Sequence, residues 1–223
     1  GTSAITFYNL TNNNSSTGSQ LNTNISVANN LTITDGDINL NGNNIDLFST
    51  GTLIGETNDK RIFGTAGVIK TTRNINAPSF VNIAGLGAVF DGATNWGSTT
   101  IERGHTPQII GVNSSILRYF NIIPTNNAAL NTTLRFYYFD NEYVPLPQDE
   151  NTFTFWKSTD AGTTWTNMVG TPFPGSNYVE LAGINSFSRW TLADVSNPLP
   201  IDLLSFEAEA IDNKNVLTKW ETV

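Results

Sequence analysis

From Ile25 onward the apolar residues come in short alternating pairs: Ile25 and Val27, Leu31 and Ile33, Ile38 and Leu40, Ile45 and Leu47. Each pair is separated from the next by Asn, Asp or Gly. Side chains alternate along an extended chain, so each pair offers one apolar face of a very short strand, and the polar letters between pairs are corners. A spacing of about seven residues is then one face plus its corner, as in a β-solenoid. The same letters also fit an antiparallel meander, with the DGD of residues 35–37 and the NGNN of residues 41–44 as hairpin turns. The solenoid is the leading expectation. Ile5, Phe7 and Leu10 predict an earlier strand that ends in the polar loop 12–18. Residues 61–63, 67–70 and 80–83, with Leu86, Val89 and Phe90, predict further strands.

After about residue 114 the pattern changes. The segments 116–122, 133–139, 153–156, 165–168, 178–181 and 187–192 are longer and richer in aromatics, at the intervals of a β-sandwich. In 133–139, Leu134, Phe136 and Tyr138 share one face, and Thr133, Arg135, Tyr137 and Phe139 share the other. Near the carboxyl end Leu204, Phe206, Ala208 and Ala210 form an apolar face, residues 212–215 suit a tight reversal, and Val216, Thr218 and Trp220 begin a return strand. A lone hairpin is marginal in water, so Leu204, Phe206, Ala208 and Trp220 need cover from elsewhere. They are the candidate assembly strand.

The fold expected is all-β. A solenoid-like or meander region covers 1–113, an Ig-like or jelly-roll-type sandwich covers 114–196, and a linker with the first strands of an incomplete module covers 197–223.

Composition changes this picture little. The 223 residues include only 13% charged side chains, with Gly, Asn, Ser and Thr abundant and a single Met168. That mixture favours strands and turns. Nineteen acidic against 11 basic residues give a net charge of -8, which leaves little positive charge to displace counterions and argues against nucleic acid as a partner. There is no cysteine, so no disulfide or thiolate metal site can be drawn. No apolar run approaches the roughly 20 residues that span a bilayer. The start GTSAITFYNL lacks a basic region followed by an apolar one, and a mature, soluble chain is expected.

Candidate chemistry is sparse. Asp35, Asp37 and Asp46 offer oxygen ligands for calcium, but Asn, Asp and Gly are also what turns need, and the full EF-hand spacing is missing. Gly85, Gly87 and Gly92 lack the strand, glycine and helix context of a phosphate loop. His105 is the only histidine, and no serine or cysteine beside it makes a recognisable nucleophile motif. Paired carboxylates among aromatics are what a glycoside hydrolase requires, which singles out Asp140 and Glu142 beside Tyr137, Tyr143 and Trp156 as candidate binding residues. The surrounding DNEYVPLPQDEN reads instead as a Pro-rich loop beside core aromatics. Ser158, Asp160, Gly162 and Trp165 match the Asp-box pattern S-x-D-x-G-x-x-W of sialidase-like and related β proteins. Its mechanics are those of a folded turn, with Asp160 bonding turn amides, Gly162 at positive φ and Trp165 packed beneath.

The run NPLPIDLLSFEAEAIDNKNVLTKWET resembles the linker and first strands of a fibronectin-III-like module ahead of the sorting domain in substrates of the bacterial type IX secretion system. The order ILRYFNI, TLRFYYFDNEY, FTFWKS, NSFSRWTLAD, NPLP is similar to the domain that precedes that linker. The resemblance implies export to the bacterial cell surface or the medium and names no reaction. A non-enzymatic structural or adhesive module is therefore expected, in one version a subunit of a self-assembling fibre. Its partners would be other copies, surface proteins or glycans, and it would need no cofactor. The alternative is a carbohydrate-binding accessory module of an exported polysaccharide hydrolase.

Overall fold

The computed structural model describes residues 5–144, 146, 148–194, 203–211 and 215–222, with backbone only at 203, 204, 210, 221 and 222. Strands dominate, and the helical residues form short 3-10 turns. The largest sheet has ten strands. At one end Ile5–Asn13 pairs in parallel with Ile25–Asp35, which pairs in parallel with Ile45–Asp46, which pairs in parallel with Val68–Asn76. A second parallel face stacks Ser19–Gln20, Ile38–Asn39 and Ile62–Phe63. Parallel pairing cannot come from two-residue hairpins. The first part of the chain is a stack of coils, as the solenoid reading expected, and the meander is set aside.

Each coil drops its apolar residues into one central column. Ile25, Val27, Leu31, Leu40, Ile45 and Leu47 are all buried there. The corners explain the asparagines. Asn24 Oδ1 accepts the Asn44 amide at 2.8 Å, and Asn44 Oδ1 in turn accepts the Val68 amide at 2.9 Å. Asp37 Oδ1 does the same for the Arg61 amide at 2.8 Å. A corner side chain thus satisfies a backbone donor of the next coil, where the ladder itself cannot reach. Gly67 sits at such a corner with φ +87°, and a Cβ there would run into the Asn43 backbone carbonyl.

Val68–Asn76 turns the sheet over to a second style. Its far edge pairs antiparallel with Asn95–Gly104, followed by Tyr119–Pro124, Arg189–Asp194, Phe153–Ser158 and Thr166–Val169. One inward row therefore runs Ile25, Ile45, Ile69, Arg103, Phe120, Trp190 across both regions. The adjacent row runs Asp46, Lys70, Glu102, Asn121, Arg189, with Asp46 paired to Lys70, and Asn121 hydrogen-bonded to both Glu102 and Arg189. The position near residue 114 where the sequence changes style lies inside this sheet, whose strands from either side pair directly.

A five-stranded sheet covers the second region, ordered Thr171–Phe173, Tyr178–Ile184, Thr132–Tyr137, Ala88–Asp91, Val81–Asn82. Leu134, Phe136 and Tyr138 point inward, as the alternation predicted. Phe120 meets Phe136 edge-on at 4.8 Å, and Phe155 meets Trp190 edge-on at 5.8 Å. One hydrophobic core runs from Ile25 to Leu192.

The hairpin Leu203–Ala210 with Val216–Thr222 brings Phe206 opposite Trp220 and Ala208 opposite Thr218. Those pairs share the face expected from the sequence. Half-burial was expected as well, but the residues whose side chains are described are exposed on both faces, with Phe206 at 60% and Trp220 at 66%. The linker through residue 202, and residues 212–214 of the expected reversal, lie outside the described residues.

Candidate functional site: a buried charge network at the junction

Where the coils meet the sandwich, two ion pairs lie inside the protein. Arg103 occupies an inward position between the apolar Ile69 and Phe120 of the neighbouring strands. Glu56, on the turn after Thr52–Ile54, meets its guanidinium with both oxygens at 2.7 Å. Arg103 Nη1 also donates to the Leu86 carbonyl at 3.0 Å, and Glu56 accepts the Ile62 amide at 2.9 Å. Burial raises the Glu56 pKa, but Arg103, helped by Arg118 and the Ile62 amide, offsets this and holds the carboxyl below its ordinary range.

The second pair is Arg118 with Glu142, at 2.9 and 2.7 Å, with each side chain 2% exposed. Arg118 also donates to the Tyr137 carbonyl at 3.0 Å, and Glu142 accepts the Phe139 amide at 3.0 Å. Burial lowers the Arg118 pKa and Glu142 opposes that shift. His105 is buried nearby, and burial, followed by repulsion from Arg103, Arg118 and Arg61, holds it neutral.

A cleft of about 440 Å³ touches Glu56, Arg103, Arg118, Tyr137 and Asn177. A second, of about 400 Å³, is lined by Arg61, Phe63, His105, Pro107, Leu117 and Glu142. The carboxylates of both pairs are held by guanidinium and amide donors. Neither is left as an exposed acid or base of the kind that glycoside hydrolysis requires.

The candidate binding residues separate. Glu142 closes the buried pair just described, whereas Asp140 accepts the Asn177 amide nitrogen at 2.7 Å. Both sit on the 3-10 turn Asp140–Glu142, beyond the end of the Thr132–Tyr137 strand. Tyr137 packs against Tyr178 at 5.1 Å, and Phe173 stacks on the same ring at 4.7 Å. Those faces are therefore occupied by one another. Tyr143 lies edge-on to Tyr138 and Phe153, and burial with the Glu150 carboxylate pushes its phenol up to about 12. Trp156 is half-buried on the ten-stranded sheet, away from that turn in the topology.

The turn residues do come together. Ser158 Oγ donates to Asp160 Oδ1 at 2.7 Å and accepts the Gly162 amide at 2.8 Å. Asp160 also accepts the Thr164 amide at 2.8 Å and hydroxyl at 2.7 Å, and these bonds lower its pKa to about 2. Trp165 Nε1 donates to the Gly162 carbonyl at 3.1 Å, and Gly162 has φ +98°. Every polar group of this turn named here is spent on the turn itself.

The acidic corners are used locally too. Asp35 accepts the Gly36 amide, Asp37 the Arg61 amide and Asp46 the Phe48 amide. Among the described residues no three His, Cys, Asp or Glu side chains form a group that could hold a metal. In the hairpin Phe206, Ala208 and Trp220 are exposed, and the Leu204 side chain lies outside the described residues.

Glu56, Arg103 and Arg118 were not singled out from sequence, although two carried a signal. Ile116, Arg118, Phe120 and Ile122 share one face of a strand, as do Ile101 and Arg103, so an arginine at apolar parity predicts a buried partner. Comparisons with family models, curated proteins and solved structures return no match. Among the described residues no helix is long and apolar enough to cross a membrane.

Proposed function

We propose that this chain is a non-enzymatic structural and adhesive module, exported by the type IX route and displayed on the bacterial cell surface or released from it. The observation that carries the non-enzymatic reading is the fate of the ionisable groups at the junction. Glu56, Arg103, Arg118 and Glu142 are consumed in two internal pairs, of which Glu56–Arg103 joins a coil turn to the Asn95–Gly104 strand. The continuous sheet and shared core fit a stiff spacer. The export reading rests on the wording of residues 197–223 and on the strand order of the domain before them. Hydrolysis of a defined polysaccharide, abolished by Asp140→Asn or Glu142→Gln in a variant that remains folded, would overturn the proposal.

The exposed Phe206 and Trp220 pair supports the version in which the hairpin joins copies into a fibre. Removal of residues after Asn197 should then leave a folded chain that no longer forms fibres in electron micrographs. Fibres that persist would end that version.

A second reading, the carbohydrate-binding accessory module, draws on the 400 Å³ cleft, where Phe63 is 39% exposed beside Arg61. Sugar rings stack on open aromatic faces. It predicts saturable glycan binding that weakens in Phe63→Ala, and a glycan array without a single binder would remove it.

A further inference from the structure

The first coil stacks on the second, and among the described residues nothing lies over the first coil. Ile5, Phe7 and Leu10 stand in register with Ile25, Val27 and Leu31, and Leu21 follows the pairing that aligns Gln20 with Asn39 and so stands over Leu40. Those four partners in the second coil are buried, whereas Ile5 is 51% exposed. Phe7, Leu10 and Leu21 form one wall of an apolar cleft of about 240 Å³, with Ile25 and Ile38 on its floor. Ile5–Asn13 is also the terminal strand of the ten-stranded sheet, so alternate backbone amides and carbonyls face away from the second coil.

Edges of this kind are normally blunted with charge or proline, because an open strand recruits other strands. Here neither device is present. Residues 1–34 contain no Asp, Glu, Lys, Arg or His, and the first proline is Pro78, although the chain as a whole carries a charge of -8. Repulsion between copies is thus weakest at the edge where backbone groups and apolar side chains are both uncovered.

We propose that this edge is an interface occupied by the same edge of a second copy. The two Ile5–Asn13 strands pair antiparallel across a two-fold axis, and the Phe7, Leu10 and Leu21 walls close over each other. Register shifts at Phe7/Asn9 and Asn12/Asn13 leave 9–12 as the longest unbroken run, which places the axis near Leu10 and Thr11. Because both copies use the same surface, the contact closes as a dimer and does not propagate. This inference stands apart from the proposed function, since such a dimer would form whatever the module does.

Sedimentation velocity on residues 1–223 tests it. The chain should move as a concentration-dependent dimer of twice 24.3 kDa. Leu10→Asp sets two like charges close across the axis and should weaken dimerisation by roughly tenfold or more. Thr11→Lys, beside the same axis, should do likewise, and because Thr11 is exposed it tests the edge at little folding cost. Circular dichroism confirms that each variant is folded. Trp220→Asp should leave the dimer intact. A monomer at every concentration, or a dimer lost with Trp220→Asp and kept with Leu10→Asp and Thr11→Lys, would overturn the proposal, and the latter result would assign assembly to the hairpin.

Discussion

In the coils, residues 19 to 24 apart in sequence stack on each other, as Ile25 on Ile45 and Ile45 on Ile69 do. In the sandwich, Phe120 meets Trp190 across 70 residues of chain, and the contacts are aromatic edges instead of aliphatic columns. The coils satisfy stray backbone donors with corner asparagines, whereas the sandwich closes its junction with buried ions. A single sheet accommodates both solutions because Val68–Asn76 takes a parallel neighbour on one side and an antiparallel neighbour on the other. What differs between the regions is how a polar group is allowed inside.

The largest effect is expected at the ion pairs. Glu142→Ala leaves Arg118 buried and unpaired, which should cost about 3–5 kcal/mol in urea unfolding. Glu56→Ala should cost a similar amount, since it leaves Arg103, whose side chain is 0% exposed, without its carboxylate. A cost below roughly 1 kcal/mol for both would place the junction among weak surface pairs and break the comparison. On the coil side, Gly67→Ala combines positive φ with a clash against the neighbouring coil, and a loss of about 1–3 kcal/mol is expected.

These predictions also mark how far the sequence could be read. The short Ile and Leu pairs revealed the coils because each strand is only one face long, and Leu134, Phe136 and Tyr138 revealed the inner face of their strand by simple alternation. Parallel pairing was not decided by those letters, since DGD and NGNN suit a corner or a hairpin equally. Asp140 and Glu142 looked like a pair because they are two residues apart, but the chain leaves the strand at Tyr137 and sends them to different partners. The Glu56 to Arg103 pair spans 47 residues, and no local pattern announces such a meeting. Only the parity of Arg103 and Arg118 hinted at it.

Corner asparagines should each matter modestly. Asn44→Ala removes an acceptor from the Val68 amide and should cost about 1 kcal/mol, measured by the same unfolding curves. A neutral result would mean that water replaces the bond and that the aliphatic column alone holds the coils.

The smallest effects are those of pH. His105 is held well below its ordinary 6.5, so the unfolded chain takes up a proton near that pH that the folded chain refuses. Its contribution is complete above about pH 6.5 and is lost as the pH falls below it. His105→Gln should flatten the thermal midpoint across that window. Asp160, with its folded pKa lowered to about 2, contributes above its ordinary 3.8 and loses that contribution as the pH falls toward 2. Asp160→Asn should remove that acid limb while leaving the His105 window unchanged.

The strand Val68–Asn76 also sets an order of events. It presents a finished edge on which the third coil can zip, then the second, then the first, each step closing a loop of only 20 to 24 residues. The sandwich must instead fix distant segments before any are rewarded. Growth from the junction outward would make the first coil of a lone monomer the last to form and the first to fray, and hydrogen exchange at concentrations below dimerisation should grade from Ile69 to Ile5 accordingly.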